Sequence, residues 1–230
     1  MNELLQNAAY FGIFLSIGCY LAGIWLKKRF KLALFNPLLV AVLLCMALLF
    51  AFDIDYETFN QGAQHLTYLL TPATVCLAIP LYEQISLLKK HAAAVLVGVA
   101  SGVISCLGSI LLLSFLFSLS HQQYVTLLPK SITTAIGMGV SDELGGMVTI
   151  TVAAIILTGI LGNIIAERVL KLFHIEEKVA RGLAIGTAAH AIGTTKAMEM
   201  GRIEGAMSSL SIAVAGLMTV LAATLFACLY

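Results

Sequence analysis

The sequence predicts an all-α integral membrane protein with about seven transmembrane spans, plus broken or re-entrant helices and a candidate inverted repeat. Three observations carry this expectation. The 230 residues are 60% hydrophobic and only 11% charged, and mean hydropathy is +0.99, whereas soluble domains average roughly 45 to 50% apolar and 25% charged. The apolar residues fall in long runs, of which a chain this size holds about six to eight at roughly 20 residues each. Between the runs lie two segments too polar for lipid-facing helices and too apolar for exposed loops, at 127 to 139 and 181 to 196. Almost nothing remains for a soluble domain, so a single membrane domain over residues 1–230 is expected.

The apolar runs are Tyr10 to Leu26, Pro37 to Phe52, Leu66 to Leu81, Ala92 to Phe117, Val148 to Leu172 and Ala206 to Leu229. The third is short and holds Pro72 and Pro80, each of which removes a backbone donor, so a broken helix is expected there. The N-terminus lacks the basic start of a signal peptide, and the first run reads as a retained helix. Lys27, Lys28, Arg29 and Lys31 place its far end in the cytoplasm, and Lys89 and Lys90 follow the same rule. Keeping Arg168, Lys171, Lys178 and Arg181 inside as well requires residues 127 to 139 to enter from outside and return without crossing.

A shift of about 115 residues places Thr71-Pro-Ala-Thr74 over Gly186-Thr-Ala-Ala189 and gives each half the order span, broken helix, span. Residues 37–117 and 148–229 are then candidate repeats of opposite orientation, a common plan in secondary transporters, where paired broken helices meet near the bilayer midplane. A bundle without internal symmetry is the alternative.

In Leu128-Pro-Lys-Ser131-Ile-Thr133-Thr134, a proline suited to a first helical turn stands beside hydroxyls placed where a half-helix would begin. The positive end of such a helix, with Lys130, Ser131, Thr133 and Thr134, would cradle a carboxylate. The plainer reading is an interfacial lysine above a capped helix. In the second segment, Thr187, Thr194 and Thr195 supply hydroxyls and His190 the one imidazole. Gly186, His190 and Thr194 share a face if the helix continues. One reading is a substrate site with His190 coupling a proton to anion movement; the other is small-residue packing with the histidine bonded to a carbonyl. Thr71 and Thr74 would complete the site from the first half. Lys196 and Glu199 read as an ion pair at the rim, and Gly159 and Gly162 as close-packing positions.

Net charge is +1, and no basic stripe exists to neutralise phosphates, so no nucleic-acid partner is expected. The five cysteines are dispersed in apolar runs, and neither a metal nor another cofactor is expected. No nucleophile elbow, zinc motif or phosphate loop is present, and no enzyme activity is expected.

Asn36-Pro-Leu-Leu-Val40, Pro80-Leu-Tyr-Glu-Gln84, Leu128-Pro-Lys-Ser131 with Thr133-Thr134, and Arg181-Gly-Leu-Ala with Gly186-Thr-Ala-Ala-His190-Ala-Ile-Gly193-Thr194 closely resemble the LrgB (CidB/LrgB) family over almost the whole chain. The resemblance implies a multi-pass protein of the bacterial cytoplasmic (inner) membrane and a small LrgA-like or CidA-like membrane protein as partner. It implies two functions. One is holin-like or antiholin-like control of murein hydrolase export and autolysis through oligomeric assemblies. The other is transport of small carboxylates, because plastid relatives carry glycolate and glycerate and bacterial ones are linked to pyruvate. A pore tolerates a plain lipid-facing bundle, whereas a transporter needs buried polar broken helices. This chain places its polar residues as a transporter would, so carboxylate transport is the expected function, with the bilayer, the substrate, the small membrane protein and further copies of the chain as partners.

Overall fold

The computed structural model describes residues 10–230 apart from 31–34, 70–71, 73–74, 77–78, 80–81, 83–84 and 91. All regular elements among them are helices: α1 Phe11–Phe30, α2 Pro37–Ala51, α3 Tyr56–Thr67, α4 Ile85–Lys90, α5 Ala92–Phe117, α6 His121–Leu127, α7 Thr134–Glu143, α8 Val148–Leu172, α9 Lys178–Met200 and α10 Arg202–Ala227. Four of these, α1, α5, α8 and α10, are long and apolar enough to cross a membrane, and α2 is a shorter apolar helix. Five of the six expected apolar runs are therefore helices. Half of the remaining one, Leu66 to Leu81, lies outside the described residues, as do Thr71, Thr74, Pro80 and Glu83.

The chain forms two compact units, Met1–Leu77 and Ala78–Tyr230. In the first, α1 packs on α2 and α3. The approach is close because Gly12 faces the backbone of α3 at Phe59 and Ala63, and Gly23 faces Pro37. Asn36 caps α2 by accepting from Leu38 N–H at 2.9 Å and Leu39 N–H at 3.3 Å, with Pro37 in the first turn, where its missing donor costs nothing.

The second unit is built on α5, α8 and α10. Helices α5 and α10 run parallel: at one end the Tyr230 hydroxyl donates to the Ser114 carbonyl at 3.2 Å and the Leu119 carbonyl at 2.5 Å. The core between them holds Val95, Val99, Val103, Leu107, Met207 and Leu210. Two helical hairpins enter this bundle from opposite ends.

The first hairpin is α6 and α7. Ser120 caps α6 in a capping box with Gln123. Near the end shared by α5 and α10, the Tyr124 hydroxyl donates to the Phe226 carbonyl at 2.8 Å. The chain turns at 128–133 and comes back as α7, which runs antiparallel to α8: Gly137 faces Ile155, and Ser141 Oγ lies 2.6 Å from Thr151 Oγ1. A return without crossing is what charge placement requires of this segment. Pro129, expected in the first turn of a half-helix, instead stands in the turn ahead of α7, and its carbonyl accepts from Ile132 N–H at 3.4 Å.

The second hairpin lies within α9. Ala189 has φ −130° and ψ 16°, and His190 has φ 41° and ψ −140°, so the helix breaks there. Beyond the break the chain reverses. A methyl placed on Gly193 would lie 3.1 Å from Ile185 Cγ2, although eight residues of straight helix span about 12 Å. The first arm runs parallel to α10, with Gly182 against Glu204 and Gly186 against Ser208. The second arm follows α8 back, with Asn163 Nδ2 donating to the Ile192 carbonyl at 2.9 Å and Lys196 pairing with Glu167 at 2.8 Å. The expected broken helix is thus a hairpin, and Gly186, His190 and Thr194 do not share one continuous helical face.

Candidate functional site

The tips of both hairpins reach the middle of the bundle. Ser131, in the first turn, accepts from the Cys106 thiol at 3.4 Å, close to the centre of α5. In the first arm of α9, Thr187 packs against Gly102, one turn along the same helix: a methyl on that glycine would come 2.6 Å from Thr187 Cγ2. His190 lies beside Gly159, near the centre of α8.

A cavity of about 1030 Å³ runs along α5, α8 and the first arm of α9. Ala94, Glu177 and Ala180 line it where α5 and α9 begin, and Cys106, Lys130, Ser131 and Thr187 line its deep end. Its walls are mostly small or apolar, in keeping with a ligand site where a few polar groups set orientation. Glu177 is committed to capping α9, accepting from Ala180 N–H at 2.7 Å. Lys130 Nζ donates to Ser131 Oγ at 3.1 Å and has no carboxylate partner among the described residues. With the lysine and the thiol both donating to Ser131 Oγ, the serine's own proton remains for an acceptor in the cavity.

Thr187 adds the most informative feature. The residue is 9% exposed, and its hydroxyl has no hydrogen-bond partner among the described residues. A buried orphan of this kind costs about 1 to 3 kcal/mol, a loss that an arriving ligand oxygen would recover.

Of the ten residues expected to bind substrate, the structure brings Lys130, Ser131 and Thr187 together on this cavity. Thr133 is the N-cap position of α7 but makes no capping bond with its side chain, and Thr134 starts the helix. Neither lines the cavity. Thr194 donates to the His190 carbonyl at 2.9 Å and meets Ser208 Oγ at 2.7 Å. Thr195 donates to the Ile192 carbonyl at 2.7 Å and accepts from Asn163 at 3.0 Å. These two threonines hold the second arm in place. His190 is 3% exposed, with Nε2 3.0 Å from the Ile155 carbonyl, which accepts from an N–H on that nitrogen. Lys196 forms the expected pair with Glu199 at 3.2 Å and a closer one with Glu167. Thr71 and Thr74 lie outside the described residues.

Sequence reasoning missed the α5 wall. Gly98, Ser101, Gly102 and Ser105 all line the cavity, and their spacing of three, one and three residues places them on one helical stripe. That small, polar stripe inside an apolar span was the available signal.

A helical membrane protein with two opposed hairpins meeting at a mostly apolar cavity that holds a few polar groups is the class defined by this fold and site. The chain belongs to the LrgB-like family, which it matches over residues 16–229. It is 38% identical over 211 residues to a Bacillus subtilis (strain 168) protein described as "Uncharacterized protein YwbG", covering 92% of this chain and 94% of that one. No solved structure matches the chain.

Proposed function

We propose that this protein is a multi-pass transporter of small carboxylates such as pyruvate, glycolate or glycerate in the bacterial cytoplasmic membrane. The observation that carries the reading is the Thr187 hydroxyl, which has no hydrogen-bond partner among the described residues and is buried on the same cavity as Lys130 and Ser131. A half-buried cation without a carboxylate partner among the described residues, set among mostly apolar walls, favours an anion. Hydroxyls beside it accept or donate to the remaining ligand oxygens. Opposed hairpins whose tips meet at such a site are the usual means by which a transporter exposes polar backbone to a ligand and not to lipid.

In this mechanism the carboxylate sits at the deep end of the cavity, between the first hairpin's tip at Lys130 and Ser131 and the second hairpin's Thr187. Movement of the hairpins relative to α5 and α8 would expose it to the other side. A proton is the proposed coupling ion, with His190 proposed to carry it. An effect on autolysis would then follow indirectly from carboxylate flux or from an LrgA-like partner. Uptake of labelled pyruvate, glycolate and glycerate into proteoliposomes under a proton gradient tests the reading, which requires saturable uptake above that of empty vesicles.

A further inference from the structure

We infer that the cavity has an inner compartment in which Thr187 and Thr219 hold the oxygen on the carbon next to the carboxylate, making Thr219 a specificity-determining residue. This inference rests on the carboxylate reading above. Behind the deep end lies a second space of about 10 Å³, enclosed by α5, the first hairpin's turn, α9 and α10. It shares Cys106, Ser131 and Thr187 with the large cavity. Thr219, itself 5% exposed, supplies a further hydroxyl from α10, and Val103, Leu107, Leu128 and Ile132 form the apolar remainder.

Size and chemistry together limit what enters. The volume is that of about one water molecule, so a single oxygen fits and a carbon chain does not. Threonine hydroxyls donate and accept, so both an alcohol and a carbonyl oxygen are matched. A carboxylate held by Lys130 and Ser131 places its neighbouring carbon one bond away, beside the wall that the two spaces share. The substituent oxygen on that carbon then reaches Thr187, whose hydroxyl otherwise has no partner among the described residues. Acids lacking this oxygen leave the Thr187 hydroxyl buried and unsatisfied. A site built to bond a ligand hydroxyl discriminates strongly against the analogue without it.

The experiment is equilibrium binding of glycolate and of acetate to the detergent-solubilised full chain, for wild type, Thr219→Val and Thr219→Ser, with uptake of both acids measured in vesicles. Wild type is expected to bind glycolate at least about tenfold more tightly than acetate. Thr219→Val, which keeps the shape and removes the hydroxyl, brings the two acids within about threefold by weakening glycolate alone. Thr219→Ser keeps the preference and excludes a packing explanation. Equal weakening of both acids in Thr219→Val overturns the inference and assigns the compartment to a fixed water. Absence of a wild-type preference overturns it also. Uptake without discrimination removes the compartment and leaves the transporter standing, whereas discriminating binding without uptake supports the compartment and removes the transporter.

Discussion

Lys130 Nζ lies 3.1 Å from Ser131 Oγ, so two consecutive residues at the tip of one hairpin present a cation and a hydroxyl to the same cavity. Replacing the lysine tests whether that charge faces a ligand. Lys130→Gln keeps a donor and removes the charge, and a hydrogen bond to a charged group contributes about 1.5 to 3 kcal/mol. Carboxylate affinity is therefore expected to fall about 10- to 100-fold, with the apparent KM for uptake as the readout. Lys130→Arg should retain part of the affinity, because the charge remains while the head group differs in shape.

Thr187→Val should move stability and binding in opposite directions. In the empty protein it removes an unpartnered buried hydroxyl, and the folded state gains about 1 kcal/mol. Carboxylate affinity falls about tenfold, because the ligand loses that partner. Thermal unfolding and binding measured on the same preparation check both signs, and a fall in both would identify Thr187 as a packing residue.

Gly186 sits where the first arm of α9 crosses α10. A methyl there would overlap the Ser208 carbonyl, which is backbone, and the Ser211 hydroxyl, which donates to that carbonyl at 2.8 Å. Gly186→Ala should destabilise the protein by about 1 to 3 kcal/mol, whereas Gly108→Ala, where nothing lies within 4 Å, should leave the melting temperature unchanged or raise it.

His190 separates two roles. Its backbone is at φ 41°, its ring is bonded to the Ile155 carbonyl, and Thr194 donates to its own carbonyl. Those contacts describe a residue that shapes the hairpin's tip. His190→Gln retains a donor for Ile155 and cannot take up a proton near neutral pH. If His190 carries the proton, the variant loses the pH dependence of uptake; if it only shapes the tip, the maximal rate falls and the pH profile keeps its form.

The sequence disclosed where the helices break and not how the chain leaves each break. Glycines, threonines and a histidine among apolar residues marked 181 to 196 as unfit for lipid, and a break does fall at Ala189 and His190. Reversal of direction depends on one positive φ at a histidine and on tertiary bonds from Asn163 and Ser208, which no local pattern encodes. For the same reason, helical periodicity placed Gly186 and Thr194 on one continuous helix, whereas they stand on separate arms that both meet α10 at Ser208. Lys130, Ser131 and Thr187 were legible because buried polar groups in an apolar chain are few and require partners. The α5 stripe and Thr219 were harder to see, since small residues in a span serve helix packing equally well.

Uptake of labelled pyruvate and retention of a trapped dye, followed together in the same proteoliposomes, test the central claim most directly. The account predicts saturable uptake, competed by other short carboxylates and lost in Lys130→Gln, from vesicles that keep their dye. Uptake no greater than in empty vesicles would contradict it, as would pyruvate entry accompanied by equal dye release, the behaviour of an unselective pore.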